Sequence, residues 1–225
     1  MRLTTTTNVS VDGVMQGLGG PDEDRRGGFD RGGWALPLVD TETTDYLNQV
    51  YGGAAAFLFG RRTYEIFARS WGAIVDMITS PIGVALNSRP KYVVSNSLTD
   101  PQWAGTSVLT GDIAAAIRDL KTQQDGTLLV PGSGALVRWL LANDLVDEFD
   151  LLIYPVVIGQ GTRLFPDSGP DSALDLANSR TTSGGITIQT YRPLGRRPEY
   201  ATSTAGANTS PSSPARSRRA PASQS

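Results

Sequence analysis

An α/β fold, with a largely parallel central sheet covered by helices on both faces and closed by an antiparallel hairpin, is what this sequence predicts. Three observations carry that expectation. Short apolar runs of strand type alternate with stretches of helical spacing. Glycine-rich breaks separate them. Two alternating runs near the end flank Gly184-Gly185, a hairpin signal.

The stretch from Leu128 to Phe165 shows the pattern most plainly. Leu128-Leu129-Val130 is a strand run, Pro131-Gly132-Ser133-Gly134 breaks it, and Ala135 to Ala142 resumes with apolar side chains at Leu136, Val137, Leu140 and Leu141. That is helical spacing after a strand, with glycines at the hinge. A Gly-rich turn feeding a helix start leaves backbone N–H groups unpaired beside the positive end of the helix dipole, which suits a phosphate. The plainer alternative is a tight connection and nothing more. After Asn143-Asp144 and Asp147-Glu148, the run Leu151 to Ile158 reads as the next strand, with Pro155 demanding an edge or a bulge.

From the start, Leu3 to Val11 is Thr- and Val-rich and alternates weakly, a strand closed by Asp12-Gly13. Gln16 to Gly33 is loop-like, with seven Gly, and a loop of that length inside a compact domain is more often functional than accidental. Thr41 to Tyr51 reads as a helix with Thr41 or Thr43 as N-cap and Gly52-Gly53 as its stop. Ala54 to Phe59 is a buried strand, and Arg61-Arg62-Thr63 opens a helix carrying Tyr64, Phe67 and Trp71. Pro81 to Asn87 is a short helix, Lys91 to Val94 a strand followed by Ser95-Asn96-Ser97, and Ser107 to Leu109 another strand. Asp112 to Lys121 is amphipathic, with Ile113, Ala116, Ile117 and Leu120 on one face. Leu174 to Thr181 and Ile186 to Tyr191 form the terminal hairpin. Residues 1–194 make one domain, and from Gly195 onward Pro, Ser, Ala and Arg dominate, the composition of a disordered tail over 195–225.

Composition excludes whole classes of chemistry. The 225 residues contain no His and no Cys, which removes Ser-His-Asp and Cys-His nucleophiles and the usual zinc and iron–sulfur sites. No metal site is expected. Catalysis must rest on carboxylates, Lys, Tyr, backbone groups or a bound cofactor. From Arg196 on, five Arg and one Glu give +4, so the rest of the chain, at −2 overall, carries −6. An acidic body argues against nucleic acid as a partner. No window approaches a membrane span and the N-terminus has no apolar leader, so the expectation is a cytoplasmic protein that does not engage membranes.

In a parallel sheet, ligands lie beyond the carboxyl ends of the strands. Three polar turns stand at such ends: Gly60-Arg61-Arg62-Thr63, Ser95-Asn96-Ser97 and Gly132-Ser133-Gly134. Each alone is readable as a capped helix, a turn or a solvated Arg. The ordered set suits a dinucleotide, and the additional Arg favours its 2′-phosphorylated form.

These residues carry a family resemblance over roughly Arg2 to Pro193. Ser10-Val11-Asp12-Gly13, Phe59-Gly60-Arg61-Arg62-Thr63-Tyr64-Glu65, Val94-Ser95-Asn96-Ser97, Gly132-Ser133-Gly134 and Gly161-Thr162-Arg163-Leu164-Phe165-Pro166 occur in order. In these the chain resembles the dihydrofolate reductase superfamily, and within it the reductase domain of the bacterial riboflavin-pathway deaminase-reductase and its stand-alone relatives. The resemblance implies a dihydrofolate-reductase-like three-layer α/β fold, NADPH as cofactor and a heterocyclic small-molecule substrate. It implies that Gly60, Arg61, Arg62 and Thr63 hold adenylate-side phosphates and Ser95-Asn96 the 2′-phosphate. It assigns Gly132, Ser133, Gly134, Ala135 and Leu136 to the pyrophosphate, and Asn8 and Met15 to the nicotinamide. The Gln16–Gly33 loop would close over both ligands. Relatives are commonly dimers, so a homodimer is expected.

For the proton, folate reductases carry Trp-x-Leu-Pro-x-Asp. This chain has Trp34-Ala35-Leu36-Pro37-Leu38-Val39-Asp40, one residue longer. Asp40 is either that buried, raised-pKa carboxylate or a helix cap, and Asp12 is similarly open, either a proton-transfer carboxylate or a turn-forming Asx before Gly13. Riboflavin-pathway enzymes, which reduce 5-amino-6-(5-phosphoribosylamino)uracil, usually place a basic residue where Val14 stands. That leaves three alternatives beside the riboflavin-type reduction: a dihydrofolate-type reduction, another small-molecule reduction, or nucleotide binding without turnover.

Overall fold

The chain begins with Arg2–Ser10 (β1), whose alternating residues serve two different layers. Leu3 and Val9 pack into an apolar cluster with Leu128, Val130, Ile117, Val137 and Leu140. Thr6 and Asn8 point to the other face, where Thr6 meets Asp150 and Asn8 meets Tyr154. A strand whose two sides are both covered belongs at the centre of a three-layer sandwich. The structure, a computed structural model, describes residues 1–123, 125–169 and 171–201.

The further strands are Ala54–Gly60 (β2), Lys91–Val94 (β3), Thr106–Leu109 (β4), Thr127–Val130 (β5), Glu148–Tyr154 (β6), Leu174–Thr181 (β7) and Thr187–Pro193 (β8). They form one sheet in the order β4-β3-β2-β5-β1-β6-β8-β7. The first six strands are parallel, and β8 then runs antiparallel to both β6 and β7. The carboxyl ends of β1 to β6 therefore share one edge.

The helices are Thr41–Gly53 (α1), Arg61–Ser70 (α2), Val75–Ile78 (α3), Pro81–Ser88 (α4), Ile113–Gln123 (α5) and Gly134–Ala142 (α6). On one face α5 and α6 cover Leu3, Leu128 and Val130. On the other, Tyr51 of α1, Tyr64 of α2 and Leu86 of α4 pack on Phe57 and Phe59, both fully buried. Each such phenylalanine contributes about 1.5–3 kcal/mol of apolar transfer. Lys91, also buried, starts β3 and donates to the carbonyls of Leu86 (2.8 Å) and Arg89 (2.9 Å), pinning the end of α4 to the sheet's amino edge.

The expected three-layer architecture, sheet and hairpin are present, with four differences. The strand expected over Leu151–Ile158 spans Glu148–Tyr154 and ends one residue before Pro155, so no bulge is required. The N-cap of α1 is Asp40, neither Thr41 nor Thr43. The short α3 has only four residues, too few for a periodic signal. Residues just past 194 still belong to the fold: the Ala173 N–H donates to the Arg196 carbonyl at 3.0 Å, and the Tyr200 hydroxyl to Asp171 at 3.0 Å. The remainder of the expected tail, 202–225, lies outside the described residues.

Candidate active site

A cleft of about 1620 Å³ opens along the common carboxyl edge of the parallel strands. Its volume exceeds the ~300–1,000 Å³ typical of a single small-ligand pocket, leaving room for two ligands side by side. Residues 6–8 of β1, the turns after β2, β4 and β5, and Tyr154 at the end of β6 all line it.

At the first turn Gly60 is the N-cap of α2 and, having no side chain, makes no capping bond. The first N–H groups of α2 are therefore open to a ligand in the cleft. Arg61 is held by Glu65 (Nε to Oε1, 2.7 Å) and by Ser97 (Nη1 to Oγ, 2.5 Å). Arg62 also lines the cleft and, among the described residues, makes no hydrogen bond or ion pair. Thr63 completes this wall.

The Gly132 turn shows the same arrangement. Gly132 takes φ +72°, a left-handed conformation that favours glycine. Ser133 is the N-cap of α6 without a side-chain bond, and Val137 makes the first intrahelical link, to the Ser133 carbonyl at 2.8 Å. Gly134, Ala135 and Leu136 line the cleft at that uncapped start. The two turns abut: a Cβ on Gly60 would lie 2.7 Å from Ser133 Oγ.

The remaining turn is placed differently. Ser95 and Asn96 do not line the cleft, although Val94 before them does. The Ser95 hydroxyl is occupied by its own loop, accepting from the N–H of Ser97 (3.2 Å) and of Leu98 (3.0 Å). The loop reaches the rim through the Arg61–Ser97 bond.

Near the end of β1, Asn8 and Met15 both line the cleft. The Tyr154 hydroxyl donates to Asn8 Oδ1 at 3.2 Å, and Met15 Sδ lies 2.7 Å from where a Cβ on Gly134 would be. Burial, with a smaller contribution from the Asp40 charge, pushes the Tyr154 phenol up to about 12. The Gln16–Gly33 loop supplies a further wall from Gln16 to Arg26. The Gln16 amide joins two loops there. Its Nε2 donates to the carbonyls of Asp24 (3.1 Å) and Arg26 (3.0 Å), and its Oε1 accepts from the Thr162 N–H (2.9 Å) and hydroxyl (3.0 Å).

Asp40 is not the raised-pKa acid that one of its two readings required. It does not line the cleft. Its Oδ1 accepts from the Thr43 N–H (2.7 Å) and its Oδ2 from the Gly184 N–H (2.8 Å). Hydrogen bonds from the Thr182 side chain, then from Thr43, hold the carboxyl far below the ordinary carboxylate range. The residue before it, Val39, takes the cleft position. Asp12 is likewise structural. Some desolvation opposes its ionisation, but the Ile158 and Gly159 N–H groups and the Ser10 hydroxyl outweigh it and keep the carboxyl ionised. Val14 is fully buried against Phe29 and Ile158 and does not reach the cleft.

Sequence reasoning missed Tyr154, which read as an interior strand residue, and the wall formed by residues 111–114 at the start of α5. Gly111 after the β4 run was the available signal. Among the described residues, no group of three or more His, Cys, Asp or Glu is placed to hold a metal, and no helix is long and apolar enough to cross a membrane.

A family model described as the RibD C-terminal domain matches residues 2–188. Among curated proteins, the uncharacterized protein YyaP of Bacillus subtilis (strain 168) is 27% identical over 196 residues, covering 84% of this chain and 94% of its own. Two solved structures share the fold. One is a protein assigned to riboflavin biosynthesis from Shewanella sp. PV-4 (TM-score 0.63, 21% identity, 86% of this chain and 99% of that one). The other is a pyrimidine reductase-like protein from Corynebacterium diphtheriae (TM-score 0.57, 15% identity, 86% and 92%).

Proposed function

The chain belongs to the RibD C-terminal domain family, and from that premise we propose that it is an NADPH-dependent reductase acting on a pyrimidine- or pterin-like heterocycle. One observation carries the reading: two helices, α2 and α6, present uncapped N-termini to the same cleft, from neighbouring strands of the sheet. Unpaired N–H groups and the helix dipole favour anions there, and two such sites in one cleft fit a ligand with phosphates at separate points.

The residues present fit NADPH. Gly132, Ser133, Gly134, Ala135 and Leu136 would hold the pyrophosphate. Gly60, Arg61, Arg62 and Thr63 would hold the adenylate-side phosphates, with unpaired Arg62 the group best placed to read a 2′-phosphate. Ser95 and Asn96 contribute through their loop rather than through the Ser95 hydroxyl, which is already occupied. Asn8 and Met15 would border the nicotinamide. When bound, the cofactor supplies the hydride that adds to a C=N or C=O carbon of the substrate.

The chain's own part is to orient, to exclude water and to manage the proton taken up by the substrate's nitrogen or oxygen. With Asp40 committed to its cap, Tyr154 is the cleft hydroxyl suited to delivering that proton. Its phenol stays protonated through neutral pH; the proton it shares with Asn8 Oδ1 turns to the substrate's nitrogen or oxygen, and solvent water reprotonates the phenolate when the cleft opens. The Gln16–Gly33 wall shields the reacting atoms.

Titration with NADPH and NADH, followed by quenching of tryptophan fluorescence, tests the binding. Absorbance at the reduced-nicotinamide band with heterocyclic substrates then tests turnover. Tighter binding of NADPH is expected. No quenching by either dinucleotide would overturn the proposal.

A further inference from the structure

We propose that the substrate of this reductase is unphosphorylated and carries an apolar substituent, which lies against α1 and the segment joining α2 to α4. The inference rests on the reductase reading above and narrows it.

The cleft's capacity for anions is polarised. Of the helices of eight residues or more that border it, α2 and α6 start without a capping side chain, and both starts are committed to the cofactor. The other helices of eight residues or more are closed at their starts by their own side chains, and the four-residue α3, whose N-cap Ile74 makes no side-chain bond, is too short to build a dipole of comparable strength. Asp40 accepts from the Thr43 N–H in α1, Ser80 from the Gly83 N–H in α4, and Asp112 from the Ala115 N–H in α5. A phosphate on the substrate would find no free start on a helix longer than a single turn.

It would find little free cationic charge either. Five Arg line the cleft among the described residues. Asp24 takes Arg26, Glu65 and Ser97 take Arg61, and the Leu164 carbonyl takes Arg138. Arg62 stands in the first turn of α2, beside the cofactor phosphates. Arg69 remains, but it lies in the last turn of α2, where the helix dipole is negative and the guanidinium already complements it. The Gln16–Gly33 wall adds Asp22, Glu23 and Asp24 to the cleft lining.

What this side offers instead is apolar surface. Leu36, Val39, Leu47, Ile74, Met77 and Ile82 line it. Three of them are open to solvent, Leu36 at 57%, Val39 at 39% and Ile74 at 48% exposure. Large aliphatic side chains at the mouth of a ligand cleft gain most when an apolar group covers them.

The test uses the NADPH-loaded protein and two compounds with the same reducible ring, one bearing a ribityl phosphate and the other an unphosphorylated alkyl or aryl group. Their binding is read by tryptophan fluorescence and their reduction by NADPH consumption. The apolar compound is expected to be favoured about tenfold or more. Val39→Lys and Ile74→Lys should each remove most of that preference while leaving NADPH affinity intact. Preference for the phosphorylated compound, lost in Arg69→Ala, would overturn the inference and leave the reductase reading standing. So would an unchanged preference in the Lys variants accompanied by a drop in oligomer mass, which would mean that a second copy covers the mouth. Failure to bind NADPH at all would overturn the reductase reading, and this inference with it.

Discussion

Gly60 and Ser133, 73 positions apart in the sequence, meet so closely that a Cβ on Gly60 would stand 2.7 Å from the Ser133 hydroxyl. The contact joins the starts of α2 and α6, whose unpaired N–H groups face the cleft. Gly60→Val places branched methyl groups against Ser133 and Leu136. NADPH and NADH should both bind about tenfold more weakly, because the pyrophosphate is common to the two. Isothermal titration with each dinucleotide measures this. An unaltered affinity would separate the Gly60 turn from the cofactor.

Arg62, unlike Gly60, predicts a loss that discriminates between the two dinucleotides. It lines the cleft and is exposed, with no hydrogen-bond or ion-pair partner among the described residues, so its removal orphans no charge there. Arg62→Ala should weaken NADPH by about tenfold, the scale of one charge-assisted contact, and NADH by much less. Equal losses would place the reading of the 2′-phosphate elsewhere.

Tyr154→Phe removes one hydroxyl and its bond to Asn8 while leaving the ring packed edge-on against Trp34. Turnover should fall by about 10²-fold with little change in NADPH affinity, the range for loss of a positioned proton-transfer group. Because burial holds the phenol at about 12, the wild-type rate profile should show no limb from its ionisation below about pH 11. Full turnover in the variant would shift the proton's source to solvent.

Asp40 yields a prediction about stability. Its folded pKa lies below the ordinary 3.8, so its stabilising contribution is present above that value and is lost as pH falls toward the folded one. Asp40→Asn retains a cap for Thr43 but replaces the Oδ2 acceptor of the Gly184 N–H and removes the charge. Its melting temperature should fall below wild type at pH 7, and the gap should close as the solution is taken below about pH 4. Turnover per folded molecule should be unaffected. A loss of turnover at full occupancy of NADPH would return Asp40 to the chemistry.

What the sequence made legible was local. Gly132 at positive φ, the Gly60 start of α2 and the hairpin around Gly184-Gly185 all depend on near neighbours, and each was visible from residue type alone. What stayed hidden depends on distant partners. Asp150 disguised the beginning of β6, because nothing nearby reveals that Thr190 (2.8 Å) and Thr6 (3.4 Å), on the flanking strands, bond its carboxylate in the interior. The role of Asp40 was undecidable for the same reason: Gly184, its second partner, is 144 residues away. Tyr154 has the look of core because it is packed in the core, although it also lines the cleft. At Ser95 the residue type suited a ligand, but its own loop claimed the hydroxyl first.

The Gln16 amide has a mechanical consequence. One planar group grips the wall at Asp24 and Arg26 with one end and Thr162 with the other, and the Met15 N–H is bonded to the Thr162 carbonyl at 2.9 Å. Met15 in turn sits beside Gly134 at the start of α6. An outward swing of the wall therefore either drags residues 161–162 and the Met15 backbone with it or first breaks the amide's grip. Movement of the wall is thereby coupled to the turn at the start of α6.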